Sequence, residues 1–236
     1  MTPPVVLVHA GICDNRMWDR LAAELGSTYA PVRHELRGFG NTPLPAEGRV
    51  SNTADLAASI EQPSVLVGAS YGGQVCLELA AERPELVLGL VLLAAVIPCH
   101  DWSSEAEAFF EEEERLLEAG DVDAATELNV SFWAGTAERS VKKLVGEMQR
   151  RAFELQLGSA AEVTEPERIE LGSITAPTLV VTGDRDIDDF KRMADRLVAG
   201  LLSAKRATIA GAGHLPALER PRETAELLAD FLEQLA

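Results

Sequence analysis

Short apolar runs rich in β-branched residues alternate with longer segments of helical periodicity along most of this chain. The strand candidates are Val5–Val8, Pro31–Glu35, Ser64–Val67, Val87–Val96, Thr178–Thr182 and Lys205–Ile209. The helix candidates are Met17–Glu24, Thr53–Glu61, Gly73–Glu82, Phe190–Leu197 and Pro221–Leu235. Strands joined through helices form a parallel sheet, because each crossover needs a helix-length connection. The alternation therefore predicts an α/β fold with a mostly parallel sheet of six strands, flanked by helices.

One long stretch interrupts the alternation. Residues 99–170 show only helical patterns, at Glu105–Glu118, Val122–Trp133 and Val141–Leu157. The stretch holds 18 acidic and 7 basic residues, so it carries −11 of the chain's net charge of −17. We predict a core formed by residues 1–98 and 171–236, with residues 99–170 as a helical insertion. The acidic run Glu111–Glu114 is expected to be a solvated helix face rather than a metal site.

Charge and hydropathy exclude several classes of partner. The chain has 38 Asp and Glu residues against 21 Lys and Arg, which disfavours binding to nucleic acid. Its longest apolar run, Leu86–Ile97, has 12 residues, short of the roughly 18–20 that a membrane span needs. No basic segment followed by an apolar stretch opens the sequence. We therefore expect a cytoplasmic protein without a nucleic-acid or membrane partner.

The sharpest local motif is Gly68-Ala69-Ser70-Tyr71-Gly72, which follows an apolar strand and precedes a helix. This G-x-S-x-G pattern is typical of a nucleophile held at the tip of a strained strand-to-helix turn. The flanking glycines then pack too closely for side chains. A nucleotide-binding loop fits poorly, because neither G-x-x-x-x-G-K-[ST] nor G-x-G-x-x-G occurs. Ser70 is therefore the candidate nucleophile.

A serine nucleophile needs a base, and imidazole suits that role at neutral pH. The four histidines are His9, His34, His100 and His214. His214 is the candidate base, because it lies in a glycine-rich loop between the last strand and the final helix. His9 ends the first strand, where hydrogen bonding to nearby backbone is expected. His34 and His100 are expected to be structural.

The base in turn needs a carboxylate that orients it and stabilises the imidazolium. The strand Thr178–Thr182 ends in a glycine turn that carries Asp184 and Asp186. Asp186 is the candidate and Asp184 the reserve, while Asp188 and Asp189 are expected at the next helix start. The alternative is that all four acids are surface capping residues. The proposed nucleophile, acid and base each follow the carboxyl end of a strand.

Two further features concern substrate binding. The first strand runs into a loop of small residues, so the N–H of Gly11, or of Ile12, could form an oxyanion hole with the N–H of Tyr71. Aromatic residues of the insertion could line an apolar pocket. The candidate pocket residues are Ile12, Trp102, Phe110 and Trp133. The alternative is that the aromatic residues pack the core of the insertion.

Several of these segments match one family in order along the chain. They are His9-Ala10-Gly11 with Met17-Trp18, Leu36–Gly40, the Ser70 turn, Gly183–Asp186, and Gly213-His214 with Glu219-Arg220-Pro221. The chain thereby resembles the α/β-hydrolases, in particular the ester and lactone hydrolases that include the 3-oxoadipate enol-lactonases. The resemblance implies an α/β-hydrolase fold with residues 99–170 as a cap over the active site. It also supports the chain order Ser70, Asp186, His214.

Three departures from the family pattern stand out. The family's leading antiparallel strand pair is expected to be absent before Val5, so a sheet edge could be exposed or covered by a partner. Ala10 stands where the family has glycine after histidine, a change that leaves the N–H donors in place. Glu35 replaces the aspartate that often precedes the Arg-Gly-x-Gly turn, and we expect a structural role for it.

These features predict a serine hydrolase that cleaves a small carboxylic ester or lactone through an acyl-enzyme. No metal or organic cofactor is implied, the partner is a small molecule, and the chain is expected to be a monomer or homodimer. The acidic insertion favours a neutral substrate over a dicarboxylate. Three alternatives remain: C–C bond hydrolysis on the same site, cofactor-free perhydrolysis, and a ligand-binding or signalling protein with the hydrolase fold.

Overall fold

The central element of the fold is a single sheet of six strands, all parallel. The computed structural model describes residues 3–166 and 168–235, so positions 1, 2, 167 and 236 of the predicted domains lie outside the described residues. The strands are β1 Val5–Val8, β2 Val32–His34, β3 Arg49–Val50, β4 Ser64–Ala69, β5 Val87–Leu93, β6 Glu162–Val163, β7 Thr178–Gly183 and β8 Ala204–Ile209. The sheet has the spatial order β2-β1-β4-β5-β7-β8, while β3 and β6 form a separate pair. The predicted six-stranded α/β fold is confirmed.

The helices follow the sequence prediction closely. They are α1 Asp19–Tyr29, α2 Asn52–Ser59, α3 Tyr71–Glu82, α4 Ser104–Glu118, α5 Val122–Trp133, α6 Arg139–Gln156, α7 Asp188–Gly200, α8 Pro216–Glu219 and α9 Pro221–Leu235. Helix α1 continues past its predicted end at Glu24, with a non-helical residue at Gly26. Among the residues that the structure describes, none of the helices is both long and apolar enough to cross a membrane.

Alternate residues of the strands pack into two separate apolar layers, as the two-residue period of a strand requires. On β1, Val6 and Val8 belong to the layer that also buries residues of α2, α3 and α7. Val5 and Leu7 belong to the opposite layer, which buries residues of α1 and α9. The sheet is therefore covered by helices on both faces.

The chain path fixes where a site can form on this sheet. From β1 the chain passes to β2 on one side, and then crosses to β4 on the other side of β1. From β4 the chain continues to β5, on the side away from β1. The loops that follow β1 and β4 therefore lead away in opposite directions and leave a crevice between the ends of these two strands. Ligand sites of open parallel sheets lie at such a switch point.

The insertion is helical with one addition that sequence analysis missed. Helices α4, α5 and α6 match the three predicted segments. The prediction of no strand between residues 99 and 170 was wrong at β6, which pairs in parallel with β3 through Glu162↔Arg49 and Val163↔Val50. Two residues are too few to show a strand period, and their partner lies far away in sequence. This pair ties the end of the insertion to the segment between β2 and α2.

Candidate active site

Ser70 occupies a strained turn between β4 and α3. Its φ of 49° and ψ of −116° lie in a region that residues other than glycine adopt rarely. A Cβ on Gly68 would lie 2.5 Å from the carbonyl oxygen of Gly72 and 2.6 Å from the Cα of Gly73. A Cβ on Gly72 would meet the carbonyl oxygen of Val8 on β1. The glycines of the motif therefore let β1, β4 and α3 approach closely enough to hold the Ser70 hydroxyl at the turn's tip.

The structure brings the three predicted residues Ser70, His214 and Asp186 together. The Nε2 atom of His214 lies 3.1 Å from the Ser70 Oγ, and its Nδ1 atom lies 3.2 Å from an Asp186 oxygen. The second Asp186 oxygen accepts the N–H of Ile187 at 2.9 Å. His214 is 6% exposed and Asp186 is 5% exposed. The arrangement is a buried relay of hydroxyl, imidazole and carboxylate in which each hydrogen bond orients the next group.

The loop that carries His214 is fixed by Glu219, which sequence analysis named as part of a family segment but to which it gave no role of its own. The Glu219 carboxylate accepts the N–H groups of Gly213 at 3.0 Å and Leu215 at 3.1 Å, on either side of the histidine. The imidazole ring also packs against Phe190 and Trp133, with ring centroids 4.2 Å and 4.8 Å away. Glu219 follows His214 by five residues, and the loop between them folds back so that both of its bonds to this carboxylate flank the histidine.

The neighbouring acids divide between structural roles. Asp184, the reserve candidate, is exposed and accepts the Gly211 N–H at 2.7 Å, away from the imidazole. Asp188 and Asp189 lie in the first turn of α7, as predicted. Asp188 is exposed and pairs with Lys191 at 3.0 Å. The alternative hypothesis, that all four acids are surface capping residues, was wrong for Asp186 and for Asp189, both of which are buried.

Asp189 joins the start of the insertion to α7. Its carboxylate accepts the Ser103 hydroxyl at 2.7 Å, lies 2.9 Å from the His100 Nε2 and binds Arg192 at 2.6 Å. Burial raises the pKa of Asp189, but the hydrogen bonds from Ser103 and His100 and the charge of Arg192 outweigh it, so the pKa lies below its usual value. A lowered folded-state pKa means that this carboxylate stabilises the fold at neutral pH, and that the contribution is lost as pH falls through that value.

We expect Asp189→Ala to lower the free energy of unfolding by about 3 kcal/mol, because it leaves buried donors without an acceptor. The matched control is Asp188→Ala, which removes an exposed ion pair worth at most about 1 kcal/mol. Urea denaturation at neutral pH measures both variants. Equal losses in the two variants would contradict the structural role of Asp189.

The loop after β1 lines the same cavity as Ser70 and lies beside the start of α3. It turns at Ala10–Cys13, closed by a hydrogen bond of 2.9 Å from the Cys13 N–H to the Ala10 oxygen. That bond does not use the N–H groups of the two central residues, Gly11 and Ile12. A Cβ on Gly11 would lie 3.4 Å from the Tyr71 Cβ, so this loop and the start of α3 lie side by side. The Tyr71 N–H is in the first turn of α3, where backbone donors have no partner within the helix.

His9 and Glu35 have the structural roles that sequence analysis expected. The Nδ1 atom of His9 lies 2.9 Å from the Ala10 oxygen, and its Nε2 accepts the Leu36 N–H at 3.0 Å. Burial lowers the pKa of His9 to about 4, so the ring is neutral and joins β1 to the loop after β2. The Glu35 carboxylate accepts the N–H groups of Asn15 and Asn41 at 3.2 Å and 2.8 Å.

A cavity of about 480 Å³ opens over the Ser70 hydroxyl. Core and insertion both contribute to its walls. The four predicted pocket residues Ile12, Trp102, Phe110 and Trp133 all line it, together with Gly11, Ser70, Tyr71 and His214. The aromatic wall also includes Phe109 and Phe190, and the stack of Phe109 on Phe132, with centroids 4.4 Å apart, extends into the insertion core. The aromatic residues of the insertion therefore both line the cavity and pack the core of the insertion.

The cavity also has a polar wall that sequence analysis missed. Glu113 of α4, Asn129 of α5 and Gln149 of α6 line it. The Asn129 amide donates to the Glu113 carboxylate at 2.5 Å. The solvated-face reading of Glu111–Glu114 was therefore wrong for Glu113, which is half-buried. The spacing in the sequence could have indicated this polar wall. Asn129 and Gln149 each lie four residues before an aromatic residue that lines the cavity, and therefore on the same face of their helix as that residue.

A second polar group lies beside Tyr71. The Tyr71 hydroxyl accepts a hydrogen bond from the Asn52 amide at 3.2 Å. Burial, together with the nearby Glu165, raises the pKa of Tyr71. The Gln74 amide donates to Glu165 and to Glu78, each at 3.0 Å. Burial also raises the pKa of Glu78. This end of the cavity is therefore rich in carboxylate oxygens.

Several basic residues of the insertion pair with its acids. Lys143 lies 3.8 Å from Glu147, and Arg151 lies 3.6 Å from Glu154. Arg150 pairs with Asp123. Within the described part of the chain, no group of three or more His, Cys, Asp and Glu side chains is placed to hold a metal ion.

Comparison with known proteins agrees with this geometry. The model of the "Alpha/beta hydrolase family" matches residues 5–227. A pimeloyl-[acyl-carrier protein] methyl ester esterase of Aeromonas hydrophila is 28% identical over 246 residues, covering 98% of this chain and 95% of the relative. A thermophilic esterase from Thermogutta terrifontis superimposes with a TM-score of 0.81 at 23% identity, covering 99% of this chain and 90% of its own. The enol-lactonase from Burkholderia xenovorans LB400 has a TM-score of 0.79 at 20% identity, with coverages of 99% and 92%. This chain belongs to the alpha/beta hydrolase family.

Proposed function

We propose that this hydrolase cleaves a small carboxylic ester or lactone, with Ser70 as nucleophile, His214 as general base and Asp186 as the acid that orients it. The observation that carries the proposal is the buried relay from Asp186 through His214 to Ser70, with the Ser70 Oγ 3.1 Å from the imidazole. The relay opens into a largely apolar cavity. A hydroxyl in this setting is activated for attack on a carbonyl carbon.

The proposed reaction has two halves. In the first, His214 takes the Ser70 proton while the hydroxyl oxygen attacks the carbonyl, and the imidazolium then protonates the departing alcohol. In the second, His214 takes a proton from water, which attacks the acyl-enzyme, and the imidazolium then returns this proton to the Ser70 oxygen as the acid is released. The backbone N–H groups of Gly11 and Tyr71 are the proposed donors to the oxyanion. Each donor of this kind contributes roughly 3–4 kcal/mol to transition-state stabilisation.

Residues 99–170 act in this proposal as a cap that closes the site. The cavity is walled by residues of the insertion on one side and by the Ser70 turn on the other. Its volume of about 480 Å³ suits a small molecule. The net charge of −11 on the cap favours substrates without a free carboxylate.

The relatives favour one finer candidate. Several of them, in Aeromonas hydrophila and Neisseria meningitidis, bear the name pimeloyl-[acyl-carrier protein] methyl ester esterase. A methyl ester at the end of an acyl chain is therefore a second candidate substrate, and it uses the same proposed machinery. These names favour an oxygen ester over the C–C bond and perhydrolase alternatives. Methyl esters of increasing chain length, assayed beside a β-diketone, separate these reactions.

A fluorophosphonate probe tests the site assignment directly. Such probes phosphonylate an activated serine hydroxyl, so we expect one adduct per chain, on the peptide that contains Ser70. The Ser140→Ala variant, changed at an exposed serine of α6, is expected to be labelled like the wild type. Mapping of the adduct by mass spectrometry gives the result. An adduct on any other residue would overturn the assignment.

A further inference from the structure

We propose that the cap end of the cavity is a subsite for a protonated amine, formed by Glu113, Asn129 and Gln149, so that the preferred substrates are esters that carry an amino group. This inference rests on the proposed esterase function and names its substrate class. The three residues come from three different helices, α4, α5 and α6, and all line the cavity that holds the Ser70 hydroxyl.

Gln149 supplies the observation that points to a ligand. Its side chain is 4% exposed, and its Oε1 atom has no hydrogen-bond partner among the described residues. An unpartnered buried acceptor costs stability, and native proteins leave few of them. Because the side chain lines the cavity, rotation of the amide about its terminal torsion would present this oxygen to a hydrogen-bond donor bound there.

Glu113 supplies the charge. It is half-buried on the cavity wall, and its Oε1 accepts from Asn129, which is 1% exposed. Burial raises the pKa of the Glu113 carboxyl, and the Asn129 hydrogen bond offsets only part of that effect. An ammonium group beside the carboxylate would lower its pKa again, so that a charged pair forms when the substrate binds.

The Glu113 carboxylate makes this wall favour a donor over an acceptor, because the Gln149 amide can offer either its oxygen or its NH₂ group. A carboxylate and an amide oxygen both accept hydrogen bonds, and the Asn129 amide already donates to Glu113. The cavity's second carboxylate, Glu165, has the same sign. Arg37 also lines the cavity, but its guanidinium is paired with Asp55. A cationic group is thus favoured over an anionic one, both by direct hydrogen bonding to this wall and by the negative electrostatic potential of the cavity.

Three matched methyl esters test the subsite: an ω-amino acyl ester, the alkyl ester with a methyl group in place of the amine, and the ω-hydroxy ester of the same length. A series of chain lengths allows for the span between Ser70 and the cap. At the best length we expect the amino ester to exceed the alkyl ester in kcat/KM by about 10- to 100-fold, the range that a charge-assisted hydrogen bond supplies. Titration of the released acid measures the rates.

Substitutions in the subsite then test whether Glu113 and Gln149 cause the preference for the amino ester. In Glu113→Gln and in Gln149→Leu we expect the ratio of amino to alkyl ester kcat/KM to fall at least fivefold. A ratio is used because it is insensitive to losses that affect both substrates. The control Glu114→Gln makes the same charge change at the next residue, which is exposed, and is expected to keep the wild-type ratio. The Glu113→Gln change is isosteric and removes a carboxyl that is costly to bury in its charged form, so this variant is expected to fold.

The outcomes separate this inference from the proposed function. An alkyl ester cleaved as well as the amino ester, or a ratio unchanged in Glu113→Gln, would overturn the subsite and leave the esterase proposal standing. A preference for the hydroxy ester over the amino ester would mean a neutral hydrogen-bonding site and would also overturn it. If Ser70→Ala cleaves these esters as fast as the wild type, it is the esterase proposal that fails.

Discussion

Ser70→Ala is expected to lower kcat for a simple ester such as p-nitrophenyl acetate by about 10⁵- to 10⁶-fold, the loss that follows when the nucleophile of such a triad is removed. The size of the effect follows from the geometry. The Ser70 Oγ lies 3.1 Å from the His214 Nε2, and the proposed acyl-enzyme cannot form without that oxygen. The remaining rate should reflect only the oxyanion donors and substrate binding. Burst and steady-state kinetics measure the loss.

The fold should survive this change, because the Ser70 side chain packs at the rim of a cavity rather than in the core. Circular dichroism and the urea midpoint check that point. Ser140→Ala, at an exposed position on α6, controls for the substitution itself and should retain full activity. A Ser70→Ala protein that kept more than about a hundredth of the wild-type rate would show that catalysis runs through another group. A wild type with almost no esterase activity would instead favour a ligand-binding role.

The sheet and its order of elements follow from sequence because they depend on local patterns. Four of the six strands, β1, β4, β5 and β7, show an apolar run. The two-residue period of β1 places Val6 and Val8 on one face and Val5 and Leu7 on the other. The helices of the insertion show the helical period just as clearly. The strand pair β3 and β6 escaped notice because two residues carry no period and their partners are over 100 positions apart.

The relay residues are predictable for a related reason. A parallel sheet brings the carboxyl ends of its strands to one edge, so residues that follow β4, β7 and β8 meet there although they lie far apart in sequence. The polar wall of the cavity is different, because Glu113, Asn129 and Gln149 depend on how three helices rotate against one another. Glu113 belongs to a run of four glutamates, and only the packing of α4 decides which of them turns inward.

Asp186→Asn is expected to lower kcat by about 10⁴-fold, the effect of replacing the carboxylate of such a triad by an amide. The amide is nearly isosteric, so the contact with the His214 Nδ1 at 3.2 Å persists. It has no charge to stabilise the imidazolium, and its NH₂ group can hold the ring in the wrong tautomer. Because Asp186 is 5% exposed, little solvent is present to compensate. Steady-state kinetics near neutral pH measure the loss.

Asp184→Asn is the matched control, since it makes the same change two residues earlier in the same turn. Asp184 is exposed, and its carboxylate accepts the Gly211 N–H at 2.7 Å. An asparagine oxygen can accept that bond equally well, so kcat should change by no more than a few fold. The opposite ranking, with Asp184→Asn inactive and Asp186→Asn active, would assign the orienting acid to Asp184. That result would require the loop after β7 to rearrange during the reaction, because in this structure only the Asp186 carboxylate of the pair contacts the imidazole.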